Sequence, residues 1–144
     1  MKRKILVAYD GSELSEEALQ EAKLQAAGIP ETEVHVVVVV TQTGPSTNVT
    51  VAKNIQYEVA DSLRPDMERI YREFETESIP IYTEIIIADT NRNAGVKVCE
   101  YADERDIDLI IAGSRGLGTV KKMLLGSVSN QIVQEANCPV LIIK

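Results

Sequence analysis

Residues 34–40 read Val-His-Val-Val-Val-Val-Val. β-Branched side chains crowd a helix and suit a pleated strand. Neighbouring residues of a strand point to opposite faces, so this run is apolar on both sides. Such a strand belongs in the middle of a sheet that is covered above and below, the usual setting of parallel strands flanked by helices.

The rest of the chain supplies the matching pieces. Lys4–Tyr9, Ile81–Asp89, Asp108–Gly113 and Val140–Ile143 are four more apolar runs of strand length. Helical stripes alternate with them. Leu14, Ala18, Ala22 and Ala26 recur every four residues, with Ser12 placed to cap the helix and Gly28 and Pro30 placed to stop it. Residues 41–50 read as a loop, and a longer stripe begins at Ala52: Ile55, Val59, Leu63, Met67, Ile70, Tyr71 and Phe74. It passes through Pro65, so one helix kinked there is expected, the alternative being a second helix with Pro65 in its first turn. Ala94, Val98 and Ala102 mark a helix over 93–105; Val128, Ile132, Val133 and Ala136 mark a last one, ended by Asn137–Pro139. Strands that alternate with helices make βαβ units. The expectation is an α/β protein, one domain over 1–144, built as a three-layer sandwich with a five-stranded parallel sheet and helices on both faces.

At 144 residues the chain can bury about two-thirds of its unfolded surface. Apolar runs such as Val36–Val40 fall far short of the roughly 20 residues of a membrane helix. The N-terminal "MKRKILVAYDGS" has too short an apolar part for a secretion signal, which points to the cytoplasm and away from membranes. Cys99 and Cys138 lie outside any CxxC spacing and read as buried free thiols; His35, the sole histidine, reads as a packed or edge side chain. No metal site is expected from these residues.

Charge is unevenly placed. Residues 1–108 carry a net charge of -10 and residues 109–144 a net charge of +3. The acidic bulk argues against nucleic acid as a partner. The local positive excess fits one anionic ligand, or a chance cluster on a solvated face. It coincides with "GSRGLGTVKKMLLGSVS" (113–129), which holds half of the eight glycines. The order strand, glycine-rich loop, helix brings backbone N–H groups to a helix N-terminus, which favours anions. Gly113 and Gly116 let the chain approach phosphate oxygens closely, and Gly126, Ser127 and Ser129 stand at the next helix start. The spacing is neither that of a P-loop nor the Rossmann G-x-G-x-x-G. A flexible loop followed by a capped helix is the competing reading. Arg115, between the first two glycines, reads as solvated or as a phosphate contact.

The motif G-x2-G-x9-G-S at Gly113, Gly116, Gly126 and Ser127 resembles the ATP-binding motif of the universal stress protein family. "ILVAYDGSELSEEAL", "DLIIAGSRG", "LLGSVSNQIV" and "CPVLIIK" resemble that family's first and last thirds. The resemblance implies strand order 3-2-1-4-5, with a ligand crevice where the order reverses, between strands one and four. It implies that Asp10 hydrogen-bonds the ribose region and that the backbone at Ala8, Val39 and Ala112 lines an adenine slot. Phosphates would rest on Gly113, Gly116, Gly126, Ser127, Val128 and Ser129. Where the family has a histidine late in strand two, this chain has Val38.

The ligand implied is an adenine nucleotide, ATP with Mg²⁺, in a regulatory stress-response protein. The final strand "CPVLIIK" would be an apolar sheet edge, and its pairing across a two-fold axis would make a homodimer. Two alternatives stand beside this reading: a stress-family dimer that acts through protein partners without nucleotide, and a slow ATP hydrolase. Fast turnover is not expected, because no histidine or glutamate accompanies the glycine loop as a general base, and Lys121 and Lys122 would not activate water.

Overall fold

A computed structural model describes residues 2–42, 49–88, 94–115 and 125–144. Among these residues nine elements follow one another: β1 (Lys4–Ala8), α1 (Glu13–Gly28), β2 (Glu33–Thr41), α2 (Val49–Thr76), β3 (Ile81–Ala88), α3 (Ala94–Glu104), β4 (Leu109–Gly113), α4 (Ser127–Glu135) and β5 (Val140–Ile143). The five strands form one parallel sheet in the order β3-β2-β1-β4-β5, as expected.

The valine run is central in the way its composition requires. Val34, Val36, Val38 and Val40 point into a core shared with α1 and α2, which includes Leu19, Met67, Ile70 and Phe74. Val37 points the other way, into a core with Val98, Tyr101 and Ile132 of α3 and α4. Each strand residue alternates between these two cores, and the sandwich has three layers.

α1 starts as read. The Ser12 side chain accepts a hydrogen bond from the Ser15 amide, and Glu13 and Glu16 occupy the first turn. The turn before it needs a glycine, since Gly11 sits at φ +85°.

α2 runs unbroken through Pro65, but its buried face differs from the expected stripe. Ala52, Gln56, Ala60, Met67, Ile70 and Phe74 are buried, while Ile55 and Val59 are 50% and 44% exposed and Tyr71 is also exposed. The reason lies at the sheet's carboxyl edge. Gln56 Nε2 donates to Val40 O at 2.8 Å and to Ala88 O at 2.6 Å, satisfying the carbonyls at the ends of β2 and β3. A buried carbonyl without a donor is costly, so the polar Gln56 turns inward and rotates Ile55 and Val59 outward. In α4, Ile132 is buried but Val128 and Val133 are exposed, so only part of that expected stripe faces the core.

His35 is packed at the amino-terminal edge of the sheet. Nε2–H donates to Glu33 Oε1 (3.1 Å), Nδ1 accepts from the Tyr101 hydroxyl (2.8 Å), and the ring stacks on Tyr82 at 4.7 Å. Burial holds its pKa below the ordinary value, with Glu33 opposing. Both cysteines are free; Cys99 is buried and Cys138 is half-buried rather than buried.

Candidate functional site

Parallel strands end together, and here their carboxyl ends open into a cavity of about 390 Å³ where the strand order reverses, between β1 and β4. That volume lies within the range of small-molecule sites. Ala8, Asp10, Val39, Ala112, Gly113, Gly126, Ser127, Val128 and Ser129 all line it. These are nine of the ten residues singled out in the sequence. The tenth, Gly116, lies outside the described residues, as do Lys121 and Lys122.

Main-chain hydrogen bonds bring the glycine loop to this position. Ser114 N donates to Ile143 O of β5 at 2.7 Å, and Gly126 N donates to Ser114 O at 2.6 Å. The start of α4 is thereby pinned to the end of β4. Ser129 tightens the same joint. Its hydroxyl contacts Ser114 O at 3.0 Å and Gly126 O at 3.1 Å, and the side chain is buried. Its proton is therefore committed to the main chain, whereas Ser127 is exposed at the cavity.

Gly126 is the N-cap of α4 and has no side chain to cap it. The first amides of an α-helix have no intrahelical acceptor, so those of Ser127, Val128 and Ser129 are available at this rim. No acidic residue stands in the first turn of α4. Arg115 also lines the cavity. The N-terminus of α4 is thus suited to an anion by its dipole, its amides and the nearby guanidinium.

The opposite rim has other chemistry. Asp10 Oδ1 accepts from Ser12 N at 2.9 Å, which leaves the second carboxylate oxygen for a ligand. A carboxylate accepts hydrogen bonds from hydroxyl groups and repels phosphate. Between the two rims the wall is apolar, with Val37, Val39, Val98 and Ile132. Tyr9 borders the cavity, and its hydroxyl donates to Glu16 Oε1 at 2.6 Å on the far side of the sheet. Burial, with that Glu16 contact, pushes the Tyr9 pKa well up.

Gly113 has a packing role. A Cβ there would lie 2.8 Å from Leu14 Cβ and 3.2 Å from Arg115 O, so the missing side chain makes room for the start of α1. A Cβ at Gly126 would make ordinary contacts, the nearest 3.4 Å away at Ser114 O.

Thr41, Ala94, Val98 and Ile132 also line the cavity and were not singled out in the sequence. Thr41 continues the alternation of Val37 and Val39, so a β2 one residue longer would have revealed it. Val98 and Ile132 were legible as helix-face residues, but nothing in their spacing tells a core wall from a cavity wall. Burial, with Glu135 and Asp103 nearby, pushes the Cys99 thiol up to about 11, and the described residues hold no cluster of three or more His, Cys, Asp or Glu placed for a metal.

Fold and site together define a doubly wound parallel α/β protein with a cleft at its switch point and a helix N-terminus open at the rim. The chain matches the universal stress protein family over residues 1–144, and it belongs to that family. It is 32% identical to universal stress protein YxiE of Bacillus subtilis over the full length of both chains. The solved structure of MJ0577 of Methanocaldococcus jannaschii superposes with a TM-score of 0.86 at 27% identity, covering 99% of this chain and 95% of that one. Two further structures share the fold. A universal stress protein in complex with cAMP has a TM-score of 0.67 at 21% identity, covering 99% of this chain and 97% of that one. An Arabidopsis thaliana family protein with AMP bound has a TM-score of 0.66 at 20% identity, covering 99% and 91%.

Proposed function

We propose that this protein is a cytoplasmic regulatory protein that binds an adenine nucleotide, ATP with Mg²⁺, in the switch-point cavity. The observation that carries the reading is the division of the cavity rim, with an uncapped, acid-free helix N-terminus on one side and the Asp10 carboxylate on the other. Phosphates belong with the amides of Ser127 and Val128, ribose hydroxyls with Asp10, and the base with the apolar wall near Ala8, Val39 and Ala112. The relatives solved with AMP and with cAMP support a nucleotide in this fold.

Mg²⁺ would arrive with the phosphates rather than be held by the protein, since Asp10, the one carboxylate among the described cavity residues, stands at the opposite rim with the ribose. The ion would neutralise phosphate charge and keep several waters, as Mg²⁺ on nucleotides does. The cavity residues bind and orient the nucleotide. None of the described cavity residues is a base placed to activate water, so binding rather than turnover is the proposed activity. A homodimer through β5, an edge strand of the sheet, belongs to the same reading.

Mass spectrometry of nucleotide released from freshly purified, denatured protein tests the reading, together with thermal melts in Mg-ATP, ADP, AMP and cAMP. Ligand at 100 times its dissociation constant should stabilise the fold by about 2.7 kcal/mol. No released nucleotide and no rise in Tm with any of the four would overturn it.

A further inference from the structure

The β3 end of the sheet presents a surface that the cavity does not use. Three large side chains that are substantially exposed, Tyr57 and Tyr71 of α2 and Ile87 of β3, stand together there. Such a concentration marks a covered surface more often than scattered exposure does. β3 is the outermost strand on this side. Between it and α2 runs an open groove of about 520 Å³, walled by Tyr57, Met67 and Tyr71 on the helix and by Ile85 and Ile87 on the strand.

Along the groove α2 carries a charged ridge. Asp61, Arg64, Glu68 and Arg72 follow one another at spacings of three and four residues, so they share one helix face. All four are exposed. Arg64 pairs with Asp61 at 2.9 Å, while the side chains of Glu68 and Arg72 make no ion pair among the described residues. The signs run minus, plus, minus, plus, and reading the ridge backwards about Asp66 exchanges every acid for a base. Laid antiparallel on its own copy, the ridge therefore sets Asp61 against Arg72 of the partner subunit and Arg64 against Glu68 of the partner subunit, twice over.

We propose that this ridge and its groove form a self-association face, which packs α2 antiparallel on α2 of a second copy around a two-fold axis near Asp66. A surface that is self-complementary under a two-fold rotation is the requirement of an isologous interface. The chain's net charge of -7 makes two copies repel, and this ridge, with two acids and two bases, is neutral. Tyr57 and Tyr71 flank it with the large amphipathic area that interfaces favour. The face is at the opposite end of the sheet from β5 and apart from the cavity, so it neither competes with β5 pairing nor depends on a bound nucleotide.

Two charge-reversed variants test it by sedimentation velocity at low salt. Arg64→Glu with Arg72→Glu makes the ridge wholly acidic; Asp61→Arg with Glu68→Arg makes it wholly basic. Each alone should fall to half the parent's mass or less, and an equimolar mixture of the two should return to the parent's mass. Both variants should keep the parent's response to nucleotide, so a wrong site assignment would show separately. Arg64→Gln with Arg72→Gln, which removes charge without repulsion, should associate more weakly than the parent and guards against a misfolded reversal. Variants with the parent's mass would overturn the proposal and leave the groove to an extended peptide or another protein. So would a mixture that does not reassemble.

Discussion

Two helix N-termini border the same cavity, and they are built for opposite purposes. α1 begins at Ser12, whose side chain accepts from the Ser15 amide, and it carries Glu13 and Glu16 in its first turn. Its orphan donors are partly satisfied within the chain and its dipole is complemented by carboxylates. α4 begins at Gly126, with no side-chain cap and no acid in the first turn. The second end is left to be satisfied from outside. The difference teaches that a helix N-terminus is an anion site only where the chain declines to close it. In the nucleotide reading proposed above, the carboxylate of Asp10 stands on the α1 side, away from the phosphates.

The largest effect should come from filling the contact between the end of β4 and the start of α1. In Gly113→Val a side chain would collide with Leu14 at the start of α1. Overpacking of this kind costs about 1–3 kcal/mol. The ligand-free protein should therefore melt several degrees lower, whereas Gly126→Ala, which meets only ordinary contacts, should melt close to the parent. If Gly113→Val melts like the parent, α1 is not held by that contact.

Deleting one donor from α4 should come next. Ser127 is the first helical residue, and Gly126 before it is extended at φ -69° and ψ 168°, a conformation that proline accepts in its neighbour. Ser127→Pro should keep the fold and remove one amide. Nucleotide affinity should fall at least tenfold, about 1.4 kcal/mol, by calorimetric titration. An unchanged affinity would remove α4 from the site.

The smallest effect on binding should come from the closed end. Ser12→Ala removes the cap of α1 and should cost about 1 kcal/mol of stability in chemical denaturation. Affinity should stay that of the parent. A large loss of affinity there, with stability intact, would reverse the roles assigned to the two helices.

Most of the architecture was readable before any coordinates. The run Val34–Val40 demanded two covering layers, and the period of four in Ala18 and Ala22 placed α1 against one of them. Gly113, Gly126 and Ser127 were visible as a spaced set through their match to the family's motif. Ser129 was visible too, but its engagement was not. Whether a hydroxyl faces a ligand or a carbonyl depends on Ser114 O, fifteen residues away.

The sequence by itself determined the layers, the strand content and the place of the glycine-rich turn, because these follow from periodicity and from which side chains water rejects. Tertiary structure alone decided phase. Ile55 and Val59 are as apolar as Ile70, yet α2 turns them outward so that Gln56 can reach Val40 O and Ala88 O. Gly113 likewise owes its identity to Leu14, a residue 99 positions earlier in the chain. A repeating pattern says that a helix has a buried face; the unpaired polar atoms and empty space of its neighbours choose which face it is.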